Sequence, residues 1–321
     1  MTKTCTLAFL LFTNAFIAFT QDKNYSEWYL QRQDINIYVR EEGTGKDTVV
    51  VVNAGFGSNL NYMLDAVSGL NDKFHFVHYD QRGSLLSPCD KENLTFQKNV
   101  EDLYALIKAL RANKVKLICH AMGSLVGMEF IKLHPDLVSN VVFINSIIPK
   151  SDSMKSVFTQ RVFKQVDSLQ KRPEIGKLLK PFKENGYDQI NSLEDLDSIQ
   201  LTQKQITEAW RISFASSNIY DISKYNLLKG GRAFFKADAY IMTESINWNF
   251  DYRPVLNNLK SVTFIQSQYD YLDFNADLHS QQLKDFPNIK LQLLKNAGNY
   301  AWIDDPAKFS SLLIEGLTTN K

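Results

Sequence analysis

The chain predicts an α/β protein built on a mostly parallel sheet with helices on both faces, and three observations carry that prediction. Short apolar runs alternate with segments of helical period: 48–53, 75–79, 115–119, 141–145, 261–266 and 289–294. Runs of this length separated by crossover helices make a parallel sheet. Phe96, Val100, Leu103, Ile107 and Leu110 recur at steps of four and three, the stripe of a helix lying on such a sheet. The third observation is bulk: 321 residues, 44% hydrophobic and 22% charged, enough for one large domain with its own core.

At the N-terminus, Lys3 precedes an apolar run from Leu7 to Phe19 broken only by Thr13 and Asn14. The run is shorter than the roughly 20 residues of a membrane helix, so it reads as a secretory signal peptide over 1–20, with an uncleaved anchor as the alternative. A secreted or periplasmic mature chain with no stable membrane span follows. Cys89 and Cys119 are then the only cysteines left, too few for a disulfide framework. Asn24-Tyr25-Ser26 and Asn93-Leu94-Thr95 fit the glycosylation pattern, relevant only in a eukaryotic secretory pathway. Thirty-six basic against 35 acidic side chains give no electrostatic case for nucleic acid. A small molecule or peptide is the expected partner.

Two extended segments, 26–31 and 35–40, are too close for a crossover helix and suit an antiparallel hairpin at the sheet edge. The first strand of the parallel set, Val49 to Val52, runs into Asn53-Ala54-Gly55-Phe56-Gly57, a loop whose glycines allow backbone N–H groups to approach an oxyanion. Next comes Asp80-Gln81-Arg82-Gly83-Ser84, where Asp80 and Arg82 could pair to brace the loop. The strand Val115 to Cys119 leads into His120-Ala121-Met122-Gly123-Ser124, which has the pattern of a nucleophile elbow with alanine at the serine position and Met122 at the oxyanion donor. Between 148 and 249 the strand signal disappears into polar helical sequence, 155–170 and 202–217 above all, and this segment reads as a helical cap inserted into a core of 21–147 and 250–321. The strand from Val262 ends at Asp270, where the acid of a triad would stand, with Asp273 as a nearby alternative. After the last strand, Gly298 is followed by Asn299, where a histidine base would stand.

These motifs together resemble the α/β-hydrolase superfamily, and most closely its proline iminopeptidase branch. Asn53 to Gly57 resembles that family's H-G-G-P-G loop, Asp80 to Ser84 matches D-Q-R-G-S, Ala121 to Ser124 parallels S-W-G-S, and His134-Pro135-Asp136-Leu137-Val138 is similar to the segment after the elbow helix. The resemblance spans about 34 to 317 in the same order. It implies an α/β-hydrolase fold with a helical cap and a Ser-Asp-His triad that releases N-terminal residues from peptides. Of that triad only the acid, Asp270, is retained, with Ala121 and Asn299 at the other two positions. Alanine has no lone pair, and an amide is not a base at neutral pH. The family's cap glutamates hold the substrate amine. If Trp210 matches the cap tryptophan, one glutamate position falls near Phe214, and Glu244 is the candidate for the other.

Among possible substitutes, Cys119 should point into the sheet interior, Ser124 lies on the first turn of the elbow helix, and His120 reads as a packed structural histidine. His78 is the other histidine expected near the active edge. No cofactor is implied: no phosphate-cradling glycine loop and no metal-spaced His/Cys cluster is present. The expected function is a pseudohydrolase that binds a small ligand or peptide between core and cap. A hydrolase with a non-triad mechanism, such as Asp270 acting as a lone base, and a protein-interaction domain are the alternatives.

Overall fold

The computed structural model describes residues 24–151, 155–190, 199–228 and 236–319, without the side chains of 155–158. The expected signal segment, 1–20, lies outside the described residues. The chain forms β1 (Tyr25–Gln31), β2 (Asn36–Glu42), β3 (Asp47–Val52), α1 (Met63–Ala66), β4 (Phe74–Tyr79), α2 (Phe96–Ala109), β5 (Val115–His120), α3 (Gly123–Leu133) and β6 (Val138–Ile144). The inserted segment opens with β7 (Lys150–Ser151), carries α4 (Lys155–Gln170), α5 (Pro173–Lys183) and α6 (Gln203–Asn218), and is followed by β8 (Phe250–Asp251). The core resumes with α7 (Arg253–Asn257), β9 (Ser261–Ser267), α8 (Asp277–Leu283), β10 (Ile289–Leu294), α9 (Ala301–Asp304) and α10 (Pro306–Thr318).

Eight strands make one sheet in the order β1-β2-β4-β3-β5-β6-β9-β10. The β1–β2 hairpin is antiparallel, as its short connection requires, and β2 joins β4 antiparallel. All other neighbours in the sheet are parallel. Alternation along the central strands sends Val50, Val52, Leu117, Cys119, Val141 and Phe143 into a core shared with α2 and α3. Their neighbours Val49, Val51, Ile118, Val142 and Ile144 enter a second core against α1, α9 and α10. A strand buried on both faces has no polar side to show, so its sequence is continuously apolar.

Two local expectations need correction. The strand signal does not vanish throughout the insertion: β7 lies inside it and pairs antiparallel with β8, two residues each, just past its far end. Asp80 and Arg82 do not pair with each other. Asp80 instead accepts the backbone N–H groups of Leu60 (2.8 Å) and Leu86 (2.9 Å). Arg82 reaches a different helix and grips Asp102 with two hydrogen bonds of 2.7 and 2.9 Å, while its third nitrogen bonds Asp34 and the Asn93 carbonyl. His78 lies fully buried within β4 with Glu42 3.7 Å away, and burial holds its imidazole below the ordinary range.

Cys119 points into the core between β5 and α3, where a side chain at Gly127 would meet its sulfur. Cys89 and Cys119 are both free thiols. Among the described residues no helix is long and apolar enough to cross a membrane. Nor is there, among them, a cluster of three or more His, Cys, Asp or Glu placed to hold a metal.

Candidate functional site

Parallel strands deliver their C-terminal ends to one edge, and the loops after β3, β5, β9 and β10 meet there. The tightest is the turn from β5 into α3. Ala121 has φ 46°, a left-handed conformation that costs a residue with a Cβ roughly 1–2 kcal/mol. The surroundings impose it. Ala121 N–H is held by the Ile144 carbonyl at 3.1 Å, and its own carbonyl accepts from Ser124 N–H (3.0 Å) and Ser124 Oγ (2.6 Å). Gly123 packs so closely on the loop after β3 that a Cβ there would stand 2.1 Å from the Asn53 carbonyl oxygen. At Gly55 a Cβ would stand 2.3 Å from Met122 Cβ, so these two loops are in direct backbone-level contact. Met122 occupies the N-cap of α3, where N–H groups have no partner within the helix.

Across this turn lies Asn299, fully buried in the loop after β10. Its Nδ2 donates to Asp270 Oδ1 at 2.8 Å. The other oxygen, Asp270 Oδ2, is buried with no hydrogen-bond partner among the described residues. Burial pushes the Asp270 carboxyl up to about 7, opposed by the bond from Asn299.

A second chain of hydrogen bonds ties the loops from behind. Ala54 N–H donates to Tyr62 Oη. His120 Nε2 lies 3.1 Å from the Asn299 carbonyl, an acceptor, so the ring proton sits on Nε2, and Nδ1 accepts the Tyr62 hydroxyl at 2.9 Å. Burial lowers the His120 pKa to about 4, so the ring is neutral and serves as a packed strut. Asn53 belongs to a third network: its Oδ1 accepts from Gln81 Nε2 (2.9 Å), whose Oε1 accepts from Asn99 Nδ2 (2.6 Å).

These loops and the inserted helices enclose a cavity of about 310 Å³. Ala54, Gly55, Ala121, Met122 and Asn299 line its core side, and Val166, Phe214, Ser217 and Asn218 its cap side. Tyr62, Tyr240, Tyr271 and Tyr300 complete an aromatic wall, with Tyr62 and Tyr300 stacked at 5.1 Å. Burial raises the phenols of Tyr62, Tyr271 and Tyr300, so they are neutral. Among the described residues no Asp, Glu, Lys, Arg or His lines the cavity.

Of the residues singled out in the sequence, the structure therefore brings Ala54, Gly55, Ala121, Met122, Phe214 and Asn299 to one cavity, with Asp270 directly behind Asn299. Asn53, Phe56 and Gly57 stand off it: Phe56 is fully buried against Phe96, and Gly57 packs on the Lys236 carbonyl. Trp210 stacks on Phe214 but faces an outer groove with Tyr187 and Ile206. Glu244 lines a separate groove beside Cys89 and Lys236. The aromatic wall was missed because its tyrosines come from separate loops. A further histidine at the active edge, His279 on α8, was also missed: it bonds Asp273 and Ser146.

The family model described as the alpha/beta hydrolase fold matches residues 48–179. Curated relatives include the putative carbamate hydrolase RutD of Escherichia coli O157:H7, 31% identical over 98 residues, which are 30% of this chain and 37% of that protein. The RutD of Serratia proteamaculans is 27% identical over 125 residues, 37% of this chain and 45% of its own length. The chain thus spans less than half the length of the curated relatives it matches. Among solved structures, a proline iminopeptidase-related protein from Thermus thermophilus superposes with a TM-score of 0.65 at 19% identity, covering 91% of this chain and 97% of that one. A bromoperoxidase from Bacillus anthracis gives 0.60 at 17% identity over 92% and 100%. Sheet order, the strained turn from β5 into α3 and the loops gathered at one edge agree with these likenesses: the chain has the α/β-hydrolase fold.

Proposed function

We infer that Ala121, Asp270 and Asn299 occupy the nucleophile, acid and base positions of this fold, and that the cavity binds a small uncharged ligand without cleaving it there. The single observation that carries this reading is the Asn299–Asp270 bond. An amide sits where a general base would receive the nucleophile's proton, and the Ala121 side chain that lines the same cavity has no proton to give it. Loss of one member of a triad costs on the order of a millionfold in rate, and loss of two costs little more. What survives is the binding architecture: Gly55 and Met122 in contact at the turn, and a neutral aromatic cavity.

The lining also bears on the ligand class. A peptide's N-terminal ammonium needs a carboxylate partner in a site this apolar, and none of the described lining residues supplies one. An uncharged, flat aromatic or aliphatic compound with a carbonyl fits better. Its oxygen would meet backbone N–H groups at the turn, and its rings would stack on Tyr62, Tyr300 and Phe214. A volume near 310 Å³ stands at the lower end of ligand cavities and weighs against a domain whose pocket has closed.

A second reading has one observation in its favour. Asp270, raised to about 7, has the proton affinity of a general base. It is separated from the cavity by Asn299, which makes this reading the weaker one.

The test is titration with 2-naphthyl acetate, uncharged, and L-proline 2-naphthylamide, cationic, followed by tyrosine fluorescence and product analysis. The expected outcome is saturable binding of the ester without release of naphthol beyond one equivalent per chain, and at least tenfold weaker binding of the amine. Preferential binding or cleavage of the proline amide would overturn the reading. The secretory segment over 1–20 remains part of the proposal, and N-terminal sequencing of the mature protein tests it.

A further inference from the structure

A second constellation stands one strand over from Ala121, and nothing in the cavity uses it. Ser146 follows β6 by two residues, after Asn145, whose φ of 43° repeats the left-handed turn of Ala121. Ser146 Oγ lies 3.0 Å from His279 Nε2, and His279 Nδ1 lies 2.8 Å from Asp273 Oδ2. The Asp273 carboxylate also accepts the N–H groups of Leu278 (3.1 Å) and His279 (2.9 Å), which fix its orientation. With Asp273 as acceptor the ring proton is on Nδ1. Nε2 is then free to accept, and Gln266 Nε2 donates both to it (3.3 Å) and to Ser146 Oγ (2.9 Å).

This is the bonding pattern of a nucleophile activated by an oriented base. The chain order is Ser, Asp, His, as the fold's own triad has it. The arrangement asks more of the sequence than a structural serine does. Packing alone would accept any small polar residue at 146, without a histidine in this tautomer and an acid behind it.

We propose that Ser146, His279 and Asp273 form a second nucleophilic centre, shut in this structure, that is acylated by small uncharged esters and phosphonylated by fluorophosphonates. In acylation Ser146 Oγ bonds to the acyl carbon while its proton passes to His279 Nε2. The carbon–alkoxy bond then breaks, and the alkoxide leaves with that proton. With a fluorophosphonate the Oγ–P bond forms as the P–F bond breaks, fluoride departs, and the serine proton stays on His279 Nε2. Ser146 and His279 are fully buried, so access requires local opening around them. Arg161 of the cap ties down the segment that leads to Asp273, its Nη2 donating to the Leu272 carbonyl at 3.0 Å. Ile147 N–H stands to Ser146 as an oxyanion donor stands to its nucleophile, and it is bonded to Ser124 Oγ at 3.0 Å. Capture is therefore expected to be slow and to outrun turnover.

The experiment is exposure of the full chain to a biotinylated fluorophosphonate at pH 8, with the modified peptide identified by mass spectrometry. Expected are modification at Ser146, its loss in Ser146→Ala, a fall of at least tenfold in Asp273→Asn and His279→Gln, and a faster rate in Arg161→Ala. Asp273→Asn keeps a capping acceptor for α8, so a fold defect in the histidine variant does not decide the matter. No modification at Ser146 in either the wild type or Arg161→Ala, with both folded by circular dichroism, overturns the proposal. Modification at a serine lining the cavity would instead count against the reading of the cavity as non-catalytic, so the two inferences fail separately.

Discussion

Asn299 Nδ2 and Asp270 Oδ1 stand 2.8 Å apart, joining the loop after β10 to the loop after β9 by an amide–carboxylate bond. On the reading proposed above, the amide stands where a titratable imidazole would pair with this carboxylate. Asp270 is fully buried, and its other oxygen has no hydrogen-bond partner among the described residues.

A pH signature follows. Asp270, raised from 3.8 to about 7, contributes stability that is complete at low pH and is lost as pH rises through that interval. His120, lowered from 6.5 to about 4, has the opposite sign: its contribution is present above 6.5 and is lost on acidification. Between about pH 4.5 and 6.5 the two oppose, and the wild-type urea midpoint should change little. Asp270→Asn leaves the His120 slope alone, so its midpoint should fall on acidification from about pH 6.5 to 5. An unchanged midpoint in that variant would show the assignment to be mistaken.

Ala121→Gly should be neutral or stabilising by up to about 1 kcal/mol, because glycine adopts the left-handed turn without the Cβ penalty. The matched change Ala105→Gly, within α2, should cost about 1 kcal/mol. Urea unfolding of both variants makes the comparison, and equal losses would mean that the turn is not strained.

Gly123→Ala should destabilise by about 1–3 kcal/mol, since its Cβ meets a backbone oxygen 2.1 Å away that no side-chain rotation can clear. It should also weaken ester binding in the cavity, because relief separates the two loops that Gly55 and Met122 bring together. Wild-type stability with wild-type affinity would contradict the packing described.

Breaking the buried Arg82–Asp102 pair by Arg82→Met should cost about 3 kcal/mol, since it leaves the buried carboxylate with only the partly exposed Arg32, 3.2 Å away. The double variant Arg82→Met with Asp102→Leu should recover most of that loss. Denaturant midpoints of the three proteins decide it: no recovery in the double variant would place the cost elsewhere.

The sheet was legible in the sequence because its central strands are buried on both faces and so are continuously apolar. β7 and β8 were not, since two residues carry no period. Asp80 and Arg82 are close in sequence and suggested a pair, yet the chain leaving β4 carries the guanidinium to Asp102 on α2. At the site, Ala121 and Asn299 could be placed by motif, one loop at a time. The aromatic wall could not: Tyr62, Tyr271 and Tyr300 lie in three loops that only the folded sheet brings together. His279 carried no signal in the sequence, because its partner Ser146 is 133 positions earlier.

The most direct test compares naphthol release from 2-naphthyl acetate by the protein as it stands and after Ala121→Ser with Asn299→His, both in a Ser146→Ala background. The account predicts release at the buffer rate in the first, and at least a hundredfold acceleration in the second, at pH 8. Turnover by the unrestored protein that Asp270→Ala abolishes would contradict it.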